Sequence, residues 1–406
     1  MNPDHVHSIA PEQSSPWTIF LLFLRLGLTS FGGPVAHLSY FREEFVHRRR
    51  WLDEQGYADL VALCQFLPGP ASSQVGIAIG LLRGGYRGSL AAWTGFTLPS
   101  AVALALFALG IGQWGDGLPE GLLHGLKIVA VAVVAQAVWG MARNLCTDRP
   151  RIAIALLAAC AVLLLASAWA QLVVIAIAGL AGLVLFRPAA MSNPTPFRPR
   201  VGQTTGALAL LLFFTLLLVL PALAAASSSQ LLAMFDSFYR AGALVFGGGH
   251  VVLPLLEAEV VPNGWVSNDI FMAGYGAAQA VPGPLFTFSA FLGASIHGGS
   301  SSLINAALCL IAVFIPSFLL VFGAMPFWDR LRANRRMQAA LGGVNAAVVG
   351  LLLAALYDPV WTSAIFGPGD FVLAAIALAA LMVWKFPPWL VVLAGGITGW
   401  LLAMQS

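Results

Sequence analysis

The 406-residue chain is 59% hydrophobic and only 9% charged, and its mean hydropathy is +0.86. Because soluble domains carry about 25% charged residues, this composition excludes an ordinary soluble protein and predicts a mostly helical integral membrane protein with roughly ten to thirteen apolar segments. The formal net charge of +3 is too small to indicate a nucleic-acid partner.

The chain divides into a tail, two membrane units and the sequence between them. Residues 1–15 form a polar N-terminal tail without Lys or Arg, so we expect no cleaved signal peptide there. A first membrane repeat is predicted over residues 16–187, and a Pro/Arg-rich linker follows at 188–205. An unpaired connecting helix, residues 206–226, then leads to a second membrane repeat, residues 231–404.

The two membrane units are predicted to be homologous because equivalent residues keep a nearly constant separation. Arg25 and Arg240 are 215 positions apart, and Pro68 and Pro282 are 214 positions apart. The Pro-Ser step at residues 99–100 recurs 217 positions later. Agreement over the whole half indicates two copies of one structural unit.

The basic residues predict that the two copies enter the membrane from opposite sides. Arginines crowd the loop at 42–50, whereas the matching loop at 257–269 has no Lys or Arg. Conversely, residues 329–336 hold four arginines and match the cation-poor stretch 113–121. Because basic loops stay in the cytoplasm, equivalent loops fall on opposite faces, and the 206–226 helix supplies the odd crossing. The expected fold is an all-α polytopic membrane protein whose halves form an inverted-topology repeat, a common plan of secondary transporters.

Glycine and proline motifs interrupt the apolar segments at equivalent places. They are Phe31-Gly32-Gly33 and Pro68-Gly69-Pro70 in the first half, and Phe246-Gly247-Gly248 and Pro282-Gly283-Pro284 in the second. If the loops at 42–50 and 83–87 are both cytoplasmic, segment 57–82 must enter the membrane and return, and segment 16–41 folds back as well. Broken or re-entrant helices are therefore expected. Fully spanning segments are the alternative, because each segment is about 25 residues long.

A broken helix exposes backbone N–H groups at the N-terminus of its second part, and these groups attract anions. Inward-pointing breaks would form a cradle for an oxyanion. The alternative is that Gly and Pro only kink helices or allow close packing. The predicted substrate-binding residues are Arg25, Phe31, Gly32, Gly33, Gln65, Pro68, Gly69, Pro70, Ser72 and Ser73 in the first half, and Arg240, Phe246, Gly247, Gly248, Gln279, Pro282, Gly283, Pro284 and Thr287 in the second.

Polar side chains beside the breaks supply the donors of this set. Arg25 and Arg240 each lie six residues before a Phe-Gly-Gly motif and are expected to bind the anion or set the field, with snorkelling or structural pairing as the alternative. The amides of Gln65 and Gln279 can donate while staying neutral. The nearby hydroxyl groups either donate to the anion as well or cap helices.

A second set of residues is predicted to move protons. His37 and His250 lie near the Gly-Gly breaks and titrate near neutral pH, with packing histidines as the alternative. Glu44 and Glu259 occupy equivalent positions and are alternative proton carriers or salt-bridge partners. Lys127 either adds positive field or snorkels. The sequence has no metal-ligand spacing, cofactor loop or Walker A motif, so we expect no metal, no cofactor and no ATP-driven pump.

At these motifs the sequence resembles the chromate ion transporter family, CHR, in its long two-domain form. The resemblance is carried by residues 31–37 (FGGPVAH), 65–70 (QFLPGP) with Gln74, 246–250 (FGGGH) and 279–284 (QAVPGP), and it extends from about residue 16 to 404. It implies a bacterial inner-membrane carrier that exports chromate, driven by the proton-motive force, with sulfate as a structural analogue.

Other functions stay open on the residues alone. A carrier for sulfate or another oxyanion, working by uptake or exchange, would use the same motifs. An intramembrane enzyme acting on a lipid phosphate would need an acid/base or metal set near the breaks, and the sequence offers no convincing one, so no enzyme is expected. In a channel or scaffold, the glycines would only pack helices. The expected partners are a small anion and the lipid bilayer, and a homodimer is an assembly that the sequence leaves open.

Overall fold

The architecture is described from a computed structural model, which covers residues 14–113, 120–165, 168–187, 201–246, 251–296 and 301–404. All regular secondary structure in these ranges is helical. Within them, five helical stretches are long and apolar enough to cross a bilayer: Ala71–Gly112, Gly121–Leu145, Gln203–Ala226, Ser302–Ala333 and Arg335–Trp361. The prediction of a helical, multi-pass membrane protein is confirmed.

The first half contains seven helices in the described ranges. They are α1 (Pro16–Thr29), α2 (Gly33–Arg42), α3 (Glu54–Phe66), α4 (Ala71–Gln113), α5 (Glu120–Leu145), α6 (Arg149–Leu165) and α7 (Ala168–Leu185). A π-helical turn, Glu43–Arg48, extends α2, so the stretch predicted as a loop at 42–50 is mostly helical. The helix continues because no Gly or Pro interrupts residues 35–50.

Helix α8 (Gln203–Ala226) follows and matches the predicted connecting helix. It is the most lipid-facing of the long helices, since only 11% of its apolar window is buried inside the protein. The second half then contains α9 (Gln230–Leu244), α10 (Val252–Val260), α11 (Asn268–Ala278), α12 (Phe288–Ser295), α13 (Ser302–Ala324), α14 (Trp328–Ala333), α15 (Arg335–Ala355), α16 (Pro368–Met382) and α17 (Pro388–Ala403).

The chain reverses direction at a break at residues 30–32, between α1 and α2, while α1 itself packs mainly on α4. Gly32, with φ 98°, is the N-cap of α2, a backbone conformation that favours glycine. Aromatic rings from before and after the break contact each other. The Phe23 ring centroid lies 5.5 Å from that of Phe41 and 5.1 Å from that of Phe45. These contacts bring the outer part of α1 next to the end of α2 and the π-helical turn.

The same geometry occurs at Pro68-Gly69-Pro70. Helix α3 has 13 residues, about 20 Å of helix, which is too short for a 30 Å hydrocarbon core. Helix α4 is kinked at Gly84 and Gly85, so its first arm is equally short. The outer ends of the two arms meet, because the Arg83 guanidinium lies 4.9 Å from the Trp51 ring centroid. The chain therefore reverses direction at this break.

In the second half, α11 and α12 form the corresponding pair around Pro282-Gly283-Pro284. The Phe288 ring lies 5.1 Å from Phe271 and 5.8 Å from Tyr275, centroid to centroid. These contacts fold α12 back onto α11. Two of the predicted breaks thus carry a Pro-Gly-Pro turn between antiparallel short helices.

The long helices α5 and α15 connect the two halves. Helix α5 packs on α16 and α17, whereas its equivalent α15 packs on α6 and α7. Glycines make this approach close, with Gly125 against Gly395 and Gly182 against Ala339. Each half thus contributes one long helix that packs against the last two helices of the other half.

Candidate functional site

The helix breaks of the two halves meet in the interior and are joined by backbone hydrogen bonds. The Gly69 N–H donates to the Val245 carbonyl at 2.6 Å, and the Gly283 N–H donates to the Ser30 carbonyl at 2.9 Å. Gly69 and Gly283 are equivalent, and so are Ser30 and Val245. Each Pro-Gly-Pro turn is therefore bound to the chain just before the Phe-Gly-Gly motif of the other half.

Both glycines at these crossings have conformations that other residues rarely adopt. The φ angle is 121° at Gly69 and 98° at Gly283. A Cβ atom would lie 3.0 Å from Ser317 Oγ at Gly69 and 2.9 Å from Ser100 Oγ at Gly283. Ser100 and Ser317 belong to the repeated Pro-Ser step, to which the sequence assigned no role. The repeat itself was the signal that could have singled them out.

Helix N-termini gather at the breaks. Helices α2 and α4 begin at Gly33 and Ala71, and a 3₁₀ turn at Leu285–Thr287 leads into α12. Each of these N-termini follows within three residues of a crossing residue, so its first N–H groups and positive dipole end lie beside a break. The predicted residues Gly247, Gly248 and His250 lie outside the described residues, and Phe246 is the last described residue before them.

His37 is buried, and its ring makes a hydrogen-bond contact at each of the two breaks of the first half. Its Nε2 atom lies 3.2 Å from the Ser30 carbonyl, which also accepts the Gly283 N–H. Its Nδ1 atom lies 3.3 Å from Ser72 Oγ at the start of α4. An Nε2–H tautomer, with Nδ1 accepting from the hydroxyl group, satisfies both contacts with a neutral ring.

Several buried polar atoms near the breaks have no hydrogen-bond partner among the described residues. They are Ser30 Oγ, Ser73 Oγ, Gln74 Oε1, Thr97 Oγ1, Gln279 Nε2 and Ser317 Oγ. Leaving such atoms unpaired costs free energy, so water or a polar ligand is expected to serve them. Hydroxyl and amide groups of this kind suit an oxyanion because they can donate hydrogen bonds.

Other predicted site residues have more ordinary surroundings. Thr287 Oγ1 donates to the Pro284 carbonyl at 2.8 Å, which is the capping role considered as the alternative. Gln65 is exposed, and the Phe31 ring packs 6.2 Å from that of Trp389. Gln279, by contrast, is partly buried.

Arg25 lies in a group of charges that is five residues before Ser30 along α1 and is not part of the crossings themselves. Its Nη2 atom is 3.1 Å from Glu44 Oε2, and Arg48 and Arg49 also contact the Glu44 carboxylate, at 3.3 and 2.7 Å. These four side chains and Trp51 line an open pocket of about 470 Å³.

Arg240 makes the equivalent ion pair in the second half. Its guanidinium lies 2.7 Å from Glu259 Oε1 and 2.9 Å from Asp236 Oδ2, and Ser237 Oγ donates to Glu259. A small cavity of about 20 Å³ adjoins it and includes Gln171. Arg25 and Arg240 thus line two different pockets. Both glutamates occupy the salt-bridge positions considered as one alternative.

Two further ion pairs join the halves. Lys127 Nζ on α5 lies 2.9 Å from Asp269 Oδ1 on α11, so its charge is already paired. Arg332 on α14 lies 3.3 Å from Asp59 Oδ1 on α3, and its side chain is only 2% exposed. The sequence did not predict the second pair, because nothing in either residue's local pattern indicates the other.

Comparison with known proteins decides the family. The chromate transporter family model matches this chain twice, over residues 17–183 and again over 232–400. The chain belongs to the chromate transporter family. It is 31% identical over 411 residues to the chromate transport protein of Pseudomonas aeruginosa, an alignment that covers 97% of this chain and 94% of that relative. Over 371 residues it is 26% identical to the chromate transport protein of Cupriavidus metallidurans, covering 90% and 88%.

A shorter relative of this chain has about the length of one half. The uncharacterized transporter YwrA of Bacillus subtilis is 31% identical over 173 residues, which is 42% of this chain and 95% of the relative. No solved structure shows significant similarity. The family and the names of the relatives indicate transport and not catalysis, as the sequence predicted.

Proposed function

We propose that this chromate transporter exports chromate across a bacterial inner membrane, coupled to the proton-motive force, through a central site at the crossed helix breaks. The observation that carries the proposal is the reciprocal pair of hydrogen bonds from Gly69 to Val245 and from Gly283 to Ser30. These bonds bring the breaks of both halves to one place, where broken helices of secondary transporters bind their substrates.

The chemistry around the crossings suits a tetrahedral dianion. Helix N-termini and buried hydroxyl and amide groups supply positive potential and hydrogen-bond donors without a fixed charge. A substrate held in this way can be released again, because no buried opposite charge has to be left unpaired. In the proposed site, the predicted residues around Gly69 and Gly283 act together with Ser30 and Ser317.

Helix directions support the inverted repeat, with the halves at 16–187 and 231–404. At the offset of 217 positions, α13 corresponds to residues 85–107 of α4. The two helices pack antiparallel, because Tyr86 contacts Phe322 at 5.1 Å whereas Trp93, further along α4, contacts Phe314 at 5.6 Å between centroids. Equivalent helices that run in opposite directions are what an inverted repeat requires.

The basic segments give the proposed orientation. The Arg332–Asp59 pair brings the cationic segment 329–336 next to α3, which begins directly after the basic stretch 42–50. Both segments therefore lie on one face, and the positive-inside rule assigns that face to the cytoplasm. The connecting helix α8 supplies the odd crossing.

For proton coupling, His37 is the favoured carrier. It is buried, its imidazole can bind and release a proton, and its hydrogen bonds reach both Ser30 and Ser72 at the breaks. Glu44 and Glu259 are held by arginines and are proposed to be structural partners. The homodimer stays a prediction.

Uptake of labelled chromate into everted membrane vesicles tests the function. We expect accumulation that an uncoupler abolishes and that vesicles without the protein do not show. Accumulation that is unaffected by the uncoupler would reject proton coupling. Sulfate accumulation in right-side-out vesicles, with chromate acting only as a competitor, would favour the alternative of an oxyanion uptake carrier.

A further inference from the structure

The equivalent arginines of the two halves stand in opposite electrostatic surroundings. At Arg25, three guanidinium groups and one carboxylate meet, which leaves a net charge of +2. At Arg240, one guanidinium faces the two carboxylates of Asp236 and Glu259, which leaves a net charge of −1. The repeat preserves the ion pair but not the charge balance around it.

The first of these groups is built around a buried carboxylate. The Glu44 side chain is 6% exposed, whereas those of Arg25, Arg48 and Arg49 are 55%, 58% and 36% exposed. Glu44 Oε2 accepts hydrogen bonds from Arg25 and Arg48, and Oε1 accepts one from Arg49. The buried carboxylate thus binds one edge of each guanidinium group. The remaining, exposed edges line the pocket.

These outer faces offer both charge and hydrogen-bond donors. A guanidinium has five N–H groups, and in the contacts above each arginine uses one nitrogen on Glu44. Guanidinium groups suit tetrahedral oxyanions because their donors lie in a planar fork. The pocket of about 470 Å³ is open and has room for such an ion, whereas the cavity at Arg240 has only about 20 Å³.

We propose that the pocket of Arg25, Arg48 and Arg49 around Glu44 is a capture site that binds a soluble tetrahedral dianion before it moves to the crossed breaks. The identity of that dianion as chromate rests on the proposed function. Arg25 is five residues before Ser30 on the same helical segment, about 8 Å along the axis, so the pocket lies one short step from the crossing. The excess positive charge raises the local concentration of a dianion and speeds its entry.

The test compares Arg48→Gln/Arg49→Gln with Arg143→Gln, which removes a charge from an exposed arginine on another basic segment. Chromate transport by proteoliposomes and equilibrium binding of sulfate to purified protein are both measured.

For the double variant we expect KM and the sulfate Kd to rise roughly tenfold, with little change in maximal rate and a weaker dependence on ionic strength. The Arg143→Gln control should match the unaltered protein. Arg48→Lys/Arg49→Lys, which keeps the charge, should recover part of the loss and excludes misfolding as its cause.

Equal KM and Kd values in the double variant and the control would overturn the capture site while leaving transport intact. A lipid phosphate presents the same chemistry, so binding is repeated with and without phosphatidylglycerol. If the double variant loses only its response to this lipid and still binds sulfate normally, the pocket is a lipid site and the proposal is wrong. If the unaltered protein transports no chromate, the proposed function fails, and the sulfate measurement still decides the site.

Discussion

At the scale of single residues, the glycines of the Pro-Gly-Pro turns explain why the motif is repeated. Gly69 and Gly283 each combine a positive φ with a serine hydroxyl group of the other half close to the missing Cβ. Their N–H groups make the bonds that join the halves. One residue type therefore meets a conformational, a steric and a hydrogen-bonding requirement at once.

Replacement of Gly283 by alanine should damage the crossing. The left-handed conformation costs an L-residue about 1–2 kcal/mol, and the added methyl group would press on Ser100 Oγ, 2.9 Å from the Cβ position. Because this energy corresponds to a factor of roughly 5–30 in a conformational equilibrium, we expect a comparable loss of chromate transport rate. Thermal unfolding and vesicle uptake measure the two effects. Gly140→Ala is the control, since a Cβ there meets nothing within 4 Å, and equal behaviour of both variants would contradict this account.

His37→Gln separates proton coupling from substrate binding. A glutamine can keep a hydrogen bond to Ser30 or Ser72 but cannot carry a proton. We expect uptake driven by a pH gradient to be lost while chromate exchange at equal pH on both sides continues. The measurement is radiolabel uptake with and without the gradient. Gradient-driven uptake at the normal rate would remove His37 from the coupling mechanism.

At the scale of elements, short helices replace full crossings wherever a Gly or Pro motif interrupts the chain. Helices α3 and α11 have 13 and 11 residues, and each is followed by a Pro-Gly-Pro turn and a returning arm. Each short helix also makes an ion pair with the other half, since Asp59 on α3 binds Arg332 and Asp269 on α11 binds Lys127. An ion pair with the other half therefore anchors each short helix.

The Arg332–Asp59 pair should matter more than surface charges do. The Arg332 side chain is 2% exposed and that of Asp59 is 12% exposed, so Arg332→Gln leaves the Asp59 carboxylate without its partner in a buried setting and should lower the free energy of unfolding by about 3 kcal/mol. Asp59→Asn should cost less, because Arg332 keeps its contact with Asp329. Chemical unfolding in detergent measures both. Arg42→Gln at the exposed Arg42–Glu54 pair is the control and should change nothing measurable. A loss at Arg332 no larger than at Arg42 would refute the anchoring role.

At the scale of the whole molecule, the halves are interlocked and do not simply lie side by side. Helix α5 packs on α16 and α17, and α15 packs on α6 and α7. The pairs of breaks cross in the same reciprocal way, from Gly69 to Val245 and from Gly283 to Ser30. A movement of one half against the other would therefore act on the crossings directly, which suits alternating access around one central site.

Thiol labelling tests the inverted topology. After replacement of the four native cysteines, His47→Cys and Asn263→Cys place one probe in each of two corresponding segments. We expect a membrane-impermeant maleimide to label the Asn263→Cys variant in intact spheroplasts and the His47→Cys variant only in everted vesicles. Labelling of both variants from the same side would mean that the repeats are parallel.

The sequence alone determined the membrane class, the family resemblance and the helix breaks at Gly32 and at the two Pro-Gly-Pro turns. These follow from hydropathy, from Gly and Pro, and from constant separations between equivalent residues, all of which are properties of order along the chain. The stretch 42–50 was expected to be a loop and is largely helical, because charge was taken as a sign of a loop where no helix breaker stands.

Only the tertiary structure decided which of these features come together. Nothing local to Gly283 indicates Ser30, more than 250 positions away, and nothing local to Arg332 indicates Asp59. The sequence left anion binding and structural pairing open for Arg25 and Arg240, and the structure shows each arginine paired with a glutamate of the same half, Glu44 and Glu259. Such contacts depend on how all the helices pack, since a buried donor or charge takes the partner that the assembled fold brings within reach.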